Sequence, residues 1–372
     1  AEHISFPLLV RPSYVLGGRG MAIVYDNEQL DKYMAEAAKI SPDHPVYLDR
    51  FLEAAIEVDV DALCDGADVF VGGILEHIEM AGIHSGDSAC CTPPFSLSTK
   101  LQNQLRDIAR RLALRLGVVG LLNIQFAIKD QVIYVIEANP RASRTVPFVS
   151  KSTGVPLAKI AARIMAGEKL ADLHLPAHDR EFDYFCVKEA VMPFGRFPGS
   201  DVVLGPEMKS TGEVMGIARN FPAAFTKTQL AIDYEPPKSG EVFISVNDGD
   251  KRHITAIARS IARMGFKVVA TSGTARALRA SGIECEEVEK IHQGSHTILD
   301  RIASGEIVLM INTPFGSSTN TDGYQMRAAC VSHGVSYCTT LAGAQALIAG
   351  MEAVREQGLD VIALQDLPQW EG

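Results

Sequence analysis

Two apolar runs, Leu121 to Ile128 and Val132 to Ala138, are separated only by Lys129-Asp130-Gln131. A gap that short cannot hold a crossover helix, so the runs are expected to pair antiparallel as a hairpin. Just upstream, Leu101, Leu105, Ile108, Leu112 and Leu116 recur at helical spacing, with Ser98 to cap the start and Gly117 to end it. Beyond residue 239 the pattern changes. A strand at Val242–Val246 precedes a helix capped by Asp250 that carries Ile254, Ile257 and Ile261 and stops at Gly265. A strand at Phe266–Ala270, a short helix and a strand at Ile307–Ile311 follow. Such strand–helix alternation requires a parallel sheet between helices. The fold expectation is therefore mixed, α/β and α+β, in more than one domain.

The length of 372 residues agrees, since about 150 residues per domain gives two or three. Punctuation divides the chain into residues 1–165, a Pro-, Gly- and aromatic-rich connector at 166–238 ending in Glu235-Pro236-Pro237-Lys238-Ser239-Gly240, and residues 239–372. With 47% hydrophobic and 22% charged residues, the chain can bury a core, which excludes a disordered protein. A net charge of −10 argues against binding duplex nucleic acid, though not against a local basic pocket. No apolar run reaches the roughly 18 residues of a membrane span, and no signal peptide opens the sequence. Seven scattered cysteines, with Cys90 and Cys91 adjacent rather than in a CxxC pair, read as reduced thiols in a cytoplasmic protein. Ala1 to Phe6 lacks an initiator Met and runs at once into an apolar strand at Leu8. The expectation is a fragment of a longer polypeptide.

The clearest chemical pattern is Gln125 with Glu137-Ala138-Asn139-Pro140-Arg141. Residues two apart on a strand share a face, so Glu137 and Asn139 point together and Gln125 can join them from the hairpin partner. Three oxygen donors suit a hard cation such as Mg²⁺, with nucleotide phosphates completing the coordination. Arg141 and Arg144 could neutralise a transferring phosphoryl group; the alternative is a polar hairpin end with a surface arginine pair. Between strands at Leu8 and at Met21–Tyr25, Arg11 to Gly20 contains glycines and two arginines suited to phosphate, or else a plain hairpin turn. Lys209-Ser210 resembles the end of a Walker motif, but Met208 stands where glycine is required. Glu76-His77-Ile78-Glu79 and His84-Ser85-Gly86-Asp87 admit zinc by composition but not by HExxH spacing, and a loop contacting nucleotide or substrate is an equal reading. Glu57, Asp59 and Asp61 alternate on one strand face, either as a solvated edge or to offer a carboxylate to ribose hydroxyls. Thr271-Ser272-Gly273-Thr274 joins a strand to a helix start, where free N–H groups bind anions. Lys251, Lys290 and Asn312-Thr313 could converge with it at the sheet's carboxyl edge; ordinary capping by Thr274 is the alternative.

Together these residues resemble the carboxyl-terminal part of the carbamoyl-phosphate synthase large-chain family. The resemblance runs end to end through Arg11–Arg19, Glu76–Asp87, Asn123-Ile124-Gln125-Phe126, Glu137–Ser150, Val187-Lys188-Glu189, Leu204–Gly216 and Thr271–Thr274. It implies an ATP-grasp domain, truncated at its amino end, followed by a Rossmann-like methylglyoxal-synthase-like regulatory domain. It implies nucleotide contacts at Arg11, Arg50, Leu52, Glu57, Gly82, Ile83, His84, Ser85, Gln125 and Glu137, and Mg²⁺ or Mn²⁺ ligands at Gln125, Glu137 and Asn139. Arg50 stands where some members have His. The implied reaction is phosphorylation of carbamate by ATP, serving arginine and pyrimidine biosynthesis, in oligomers of large chains with a glutaminase small subunit. Effector positions for UMP or IMP carry onto Lys251, Thr271, Thr274, Lys290, Asn312 and Thr313, and ornithine positions onto Glu79, Asp87, Glu189 and Thr339. Pro314 replaces a hydroxyl residue, and Ser317-Ser318 replaces a basic pair.

Three other readings compete. A methylglyoxal-forming lyase would need an acid where Thr313 precedes Pro314. A different ATP-grasp ligase, such as a biotin carboxylase, would not explain the last domain. The third is a non-catalytic effector-binding fragment.

Overall fold

The first strands build a small antiparallel sheet. β1 (Leu8–Pro12) lies between β2 (Ala22–Val24) and β3 (Val46–Arg50), with α1 (Asn27–Ile40) following β2. Alternate residues Leu8 and Val10 are buried with Val24, Leu30 and Ala37, the one-sided burial of a sheet packed on a helix. The structure is a computed structural model and describes residues 4–13, 20–40, 45–176, 182–196, 201–288, 297–314, 321–361 and 363–367. The glycine-rich run from Tyr14 to Arg19, Lys290 and Ser317-Ser318 lie outside the described residues.

A seven-stranded sheet comes next, from β4 (Ile56–Asp65), β5 (Val69–Met80), β6 (Cys90–Thr92), β7 (Val119–Lys129), β8 (Val132–Asn139), β9 (Phe185–Val191) and β10 (Gly212–Ala218). Its order is β10-β9-β6-β5-β4-β7-β8, antiparallel at each pairing from β9 through β8. The expected hairpin is β7–β8. Lys129 is its last strand residue, opposite Val132, and Asp130 and Gln131 form the turn with φ of 51° and 64°. Positive φ at both turn residues matches the right-handed strand twist. The strand alternation sends Val58, Val60, Ile124 and Phe126 to one face, under α2 (Thr99–Arg115). Ser98 caps α2 as expected, its hydroxyl accepting from the Leu101 amide, and Gly117 follows its end at φ 63°. On the opposite face, Leu63, Leu75 and Cys90 pack against α3 (Val146–Thr153) and α4 (Leu157–Met165). Residues 166–238, read from composition as a connector, contain β9, β10 and α5 (Phe221–Ala231), so this sheet continues through them. β8 is an edge strand, with Val132, Tyr134, Val135 and Ile136 exposed.

The last sheet is wholly parallel in the order β13-β12-β11-β14-β15. Its elements are β11 (Glu241–Val246), α6 (Ile254–Arg263), β12 (Lys267–Thr271), α7 (Ser272–Ala280), β13 (Glu286–Val288), α8 (Ile298–Ala303), β14 (Ile307–Thr313), α9 (Thr321–His333), β15 (Ser336–Cys338) and α10 (Leu341–Gln357). Consecutive Val242, Phe243 and Ile244 are all buried, which two covered faces require. One expectation fails locally. Asp250 does not cap α6; it sits in a 3₁₀ turn at Gly249–Arg252, where its carboxylate accepts from Asn247 Nδ2.

By internal contacts the chain forms two units: residues 1–51, 191–212 and 229–358, and residues 52–190, 213–228 and 359–372. All seven cysteines are free thiols. Among the described residues no helix is long and apolar enough to cross a membrane.

Candidate functional site

Antiparallel register lines up polar side chains across the seven-stranded sheet. Asp59 on β4 faces Gln125 on β7, which faces Glu137 on β8; one step along, Asp61, Asn123 and Asn139 form a parallel row. Asn139 Nδ2 donates to Glu137 Oε1 at 2.7 Å, so the three expected cation ligands are neighbours. Gln125 Nε2 donates to Ser85 Oγ at 2.8 Å, which leaves the Gln125 carbonyl oxygen outside that contact as an acceptor. Glu137 is exposed and open to a ligand. One carboxylate with two amide oxygens is a donor set suited to Mg²⁺, with phosphate oxygens supplying the rest.

The loop after β5 closes on this row. The Asp87 and Ser88 amides donate to the His84 carbonyl at 2.8 and 3.1 Å, and the Gly86 amide donates to His84 Nδ1. Lys188 on β9 donates to the Ser85 carbonyl at 3.4 Å. Gly82, Ile83, His84 and Ser85 are thereby held beside Gln125. Burial lowers the His84 pKa, opposed by Asp87 and reinforced by the charge of Arg144. Arg141 and Arg144 are both exposed beyond the end of β8, and Arg141 donates to the Ala142 carbonyl.

Glu57, Asp59 and Asp61 are not on a solvated edge. β4 is central in the sheet, Asp59 and Asp61 are buried, and Glu57 is partly so. Asp61 accepts from Asn123 Nδ2 at 3.0 Å, from Ser143 Oγ at 2.7 Å and from Thr145 Oγ1. It therefore ties β4 to β7 and to the loop bearing Arg141 and Arg144. Burial lifts its pKa to about 6 against those three bonds. Burial also lifts Glu57 to about 7; His77 opposes this, while the Asp59 and Glu137 charges add to it.

Glu76-His77-Ile78-Glu79 is strand, not loop. Glu76 faces the α2 side, where it accepts from the Ser96 and Leu97 amides and the Ser96 hydroxyl, a structural anchor. His77 faces the row: its Nε2 lies 3.4 Å from Asp59 Oδ2, and neither ring nitrogen makes a hydrogen bond. Burial alone would lower the His77 pKa, but the Asp59 contact and the Glu57 charge carry it above the usual histidine value. Among the described residues, Glu57, Asp59 and His77 form the one three-residue group with metal-ligand atoms within 4.8 Å of one another. It differs from the set expected from sequence. Glu79 accepts from Ser88 Oγ and the Ala89 amide, Asp87 is buried in the loop, and Glu189 accepts from Thr228 Oγ1.

The remaining expected positions, Leu52 apart, lie in the other unit. In the small sheet Arg11 forms an ion pair with Asp49 at 2.5 Å and Arg50 is exposed, while Leu52 begins the unit of the large sheet. Thr339 follows β15. At the carboxyl ends of β11, β12 and β14 a second polar cluster assembles. Thr271 Oγ1 reaches Ser245 Oγ at 3.2 Å and Thr274 Oγ1 at 3.4 Å. Thr274 does not cap α7; its hydroxyl accepts from the Val246 amide. Thr313 Oγ1 accepts from the Asn247 amide and Asn247 Nδ2, and Asn312 Nδ2 donates to the Ser245 carbonyl at 3.0 Å. Lys251 Nζ lies 2.8 Å from where a Cβ on Gly273 would sit, so a side chain there would displace the ammonium from the α7 start. Thr271, Thr274, Asn312, Thr313 and Lys251 thus gather as hydroxyl, amide and ammonium groups, an arrangement suited to an anion. Ser245 and Asn247 also belong to this cluster. They sit on the sheet's central strand and the turn after it, which the spacing of other strands does not reveal.

Residues 1–173 match the family described as carbamoyl-phosphate synthase L chain, ATP binding domain, and residues 253–339 match the MGS-like domain. The chain is 54% identical over 375 residues to a carbamoyl phosphate synthase large chain of Methanothermobacter thermautotrophicus, covering all of this chain and 35% of that protein. It is 53% identical over 370 residues to that of Pasteurella multocida, covering 99% of this chain and 34% of that protein. It therefore spans about a third of the length of the curated relatives it matches. Among solved structures, it is similar to the biotin carboxylase domain of Hydrogenobacter thermophilus 2-oxoglutarate carboxylase. The TM-score is 0.50 at 20% identity, covering 63% of this chain and 58% of that one. Biotin carboxylase from Campylobacter jejuni gives 0.50 at 16%, with the same coverage. These structures share the ATP-grasp type of fold with the chain, and the MGS-like match covers β12 to β15 of the parallel sheet.

Proposed function

The chain belongs with the carboxyl-terminal part of the carbamoyl phosphate synthase large-chain family, and from that premise we propose that it carries a phosphoryl-transfer site making carbamoyl phosphate, with a regulatory effector site. Its substrates are carbamate and ATP. A carbamate oxygen attacks the γ-phosphorus, the bond to the β–γ bridging oxygen breaks, and its electron pair leaves with ADP. Carbamate and ATP together carry five negative charges, as do carbamoyl phosphate and ADP, so no proton is needed in the transfer.

The row of Asp59, Gln125 and Glu137, with Asn139 bonded to Glu137, carries this reading. Mg²⁺ or Mn²⁺, which Gln125, Glu137 and Asn139 would hold, would neutralise phosphate charge. Gly82, Ile83, His84 and Ser85 line the nucleotide, Glu57 accepts from its hydroxyls, and Arg11, Arg50 and Leu52 are further nucleotide contacts by resemblance. Arg141 and Arg144 offset charge on the transferring group. The Glu79, Asp87 and Glu189 acids are assigned to ornithine, and the Thr271–Asn312 cluster to a phosphate-bearing nucleotide, UMP or IMP. The working enzyme joins the rest of the large chain and a glutaminase small subunit in the cytoplasm. The test is carbamoyl-phosphate-dependent formation of ATP from ADP by the full-length protein. Activity that survives Glu137→Gln would refute the assignment. A purely effector-binding role would instead leave the wild type without this activity.

A further inference from the structure

The anion-site residue Asn312 does not set its own orientation. Its Oδ1 accepts from Arg327 Nη1 at 2.8 Å, and its Nδ2 donates to the Ser245 carbonyl. A guanidinium can only donate, so it fixes which end of the amide faces it and which faces the strand ends. Arg327 is among the most deeply buried side chains of the molecule, at 1% exposure. A buried guanidinium needs a charge partner, and Asp201 is it: Nε donates to Oδ1 at 2.8 Å and Nη2 to Oδ2 at 2.6 Å, a bidentate pair. Burial would raise the Asp201 carboxyl, but its bonds to Arg327 hold it below the ordinary value. The fit is close on the helix side too. A Cβ on Gly323, one turn before Arg327 on α9, would lie 3.0 Å from Nη1 and 3.6 Å from Asn312 Oδ1.

Asp201 belongs to residues 191–212, which the chain enters from β9 and leaves into β10. Lys209 Nζ holds the same segment by donating to the Asp201 and Val203 carbonyls at 3.1 and 2.7 Å. One arginine therefore grips an anion-site side chain with one nitrogen and this segment with the other two. Resting on the reading of the Thr271–Asn312 cluster as an effector site, we propose that Arg327 is a positioning residue that couples the Asn312 amide to the Asp201–Lys209 segment, so that binding of a phosphate-bearing effector and ordering of that segment are one event. Such coupling is reciprocal: whatever loosens Asp201 must weaken effector binding, although among the described effector-site positions Asp201 bonds to none directly.

The test uses UMP as probe on the full chain, with calorimetry for affinity and amide exchange across residues 201–209. UMP should slow exchange in that segment of the wild type. Asp201→Asn, nearly isosteric, should weaken UMP binding about 5- to 10-fold, within the usual range of coupling between sites. In an Asn312→Ser background the same change should add nothing, because the coupled amide is gone. Arg327→Lys, which keeps the charge but loses the fork, should match Asp201→Asn. Should Arg327→Lys fail to fold, Asp201→Asn with Asn312→Ser decides alone. Wild-type UMP affinity in Asp201→Asn, additive losses in the double variant, or unchanged exchange on binding would each overturn the coupling. A wild type that takes up no UMP would instead sink the effector-site reading, and this inference with it.

Discussion

The two large sheets of this chain place their polar clusters differently. In the antiparallel sheet the cluster lies on the face, because register carries Asp59, Gln125 and Glu137 into one row from three strands. In the parallel sheet both faces are covered, so polar groups collect where strands end, at Ser245, Thr271, Asn312 and Thr313. The face cluster is built from carboxylates and carboxamides and invites a cation. The edge cluster is built from hydroxyls, amides and an ammonium and invites an anion. Strand direction decides the location, and the side chains then decide the sign of the ligand.

If that contrast holds, damage at one cluster should not reach the chemistry of the other. Glu137→Gln should lower carbamoyl-phosphate-dependent ATP formation by at least about 10³-fold, as expected for losing the one charged ligand of a catalytic metal. UMP affinity should stay within about twofold, below the resolution of most coupling arguments. A joint loss would break the comparison. Stability sharpens it further. Asp61→Ala strands three donors, Asn123, Ser143 and Thr145, and should cost about 3 kcal/mol in denaturant unfolding. The matching change at the edge, Thr313→Val, removes the acceptor of two Asn247 N–H groups and should cost about half as much.

Acid chemistry separates the clusters next. Glu57 rises from 4.5 to about 7 on folding, so the folded state favours its protonated form. That contribution is complete below pH 4.5 and is lost as pH climbs through 7. Glu57→Gln should therefore gain on the wild type across that window, by on the order of 2 kcal/mol at pH 7.5. A flat difference between the two proteins would place Glu57 in a wetter site than its surroundings indicate. The smallest effect belongs to the edge. Lys251 is already paired with exposed Asp248, so Lys251→Ala should weaken UMP binding about tenfold at low salt and less at high salt. Isothermal titration at two ionic strengths would read both numbers.

Much of this was legible in the sequence where periodicity is strict. The β7–β8 hairpin, α2 with its Ser98 cap, and the neighbourhood of Gln125, Glu137 and Asn139 all follow from spacings of two or of three and four. The β5 strand was harder. Glu76, His77 and Glu79 read as loop polarity, yet Glu76 serves the α2 face and His77 the opposite one, so a strand polar on both sides hides its period. Asp250 looked like a helix cap because aspartate before an apolar repeat usually is one; Asn247 claims its carboxylate instead. The Arg327–Asp201 pair joins positions 126 residues apart, and no local pattern reports a contact set by tertiary folding.

The edge strand β8 has a consequence for how the protein behaves in a test tube. Among the described residues no strand pairs with its outer side, and Tyr134, Val135 and Ile136 are 40%, 47% and 58% exposed. A long apolar edge is a template for strand addition by another molecule, so it is adhesive at high concentration. Neighbouring codons therefore face opposite pressures. Position 136 would accept a lysine and make the preparation less prone to cloud, whereas position 137, one residue on, carries the carboxylate proposed to hold the metal. On the proposed function, the colloidal behaviour and the chemistry of this chain would be written on the same eight residues.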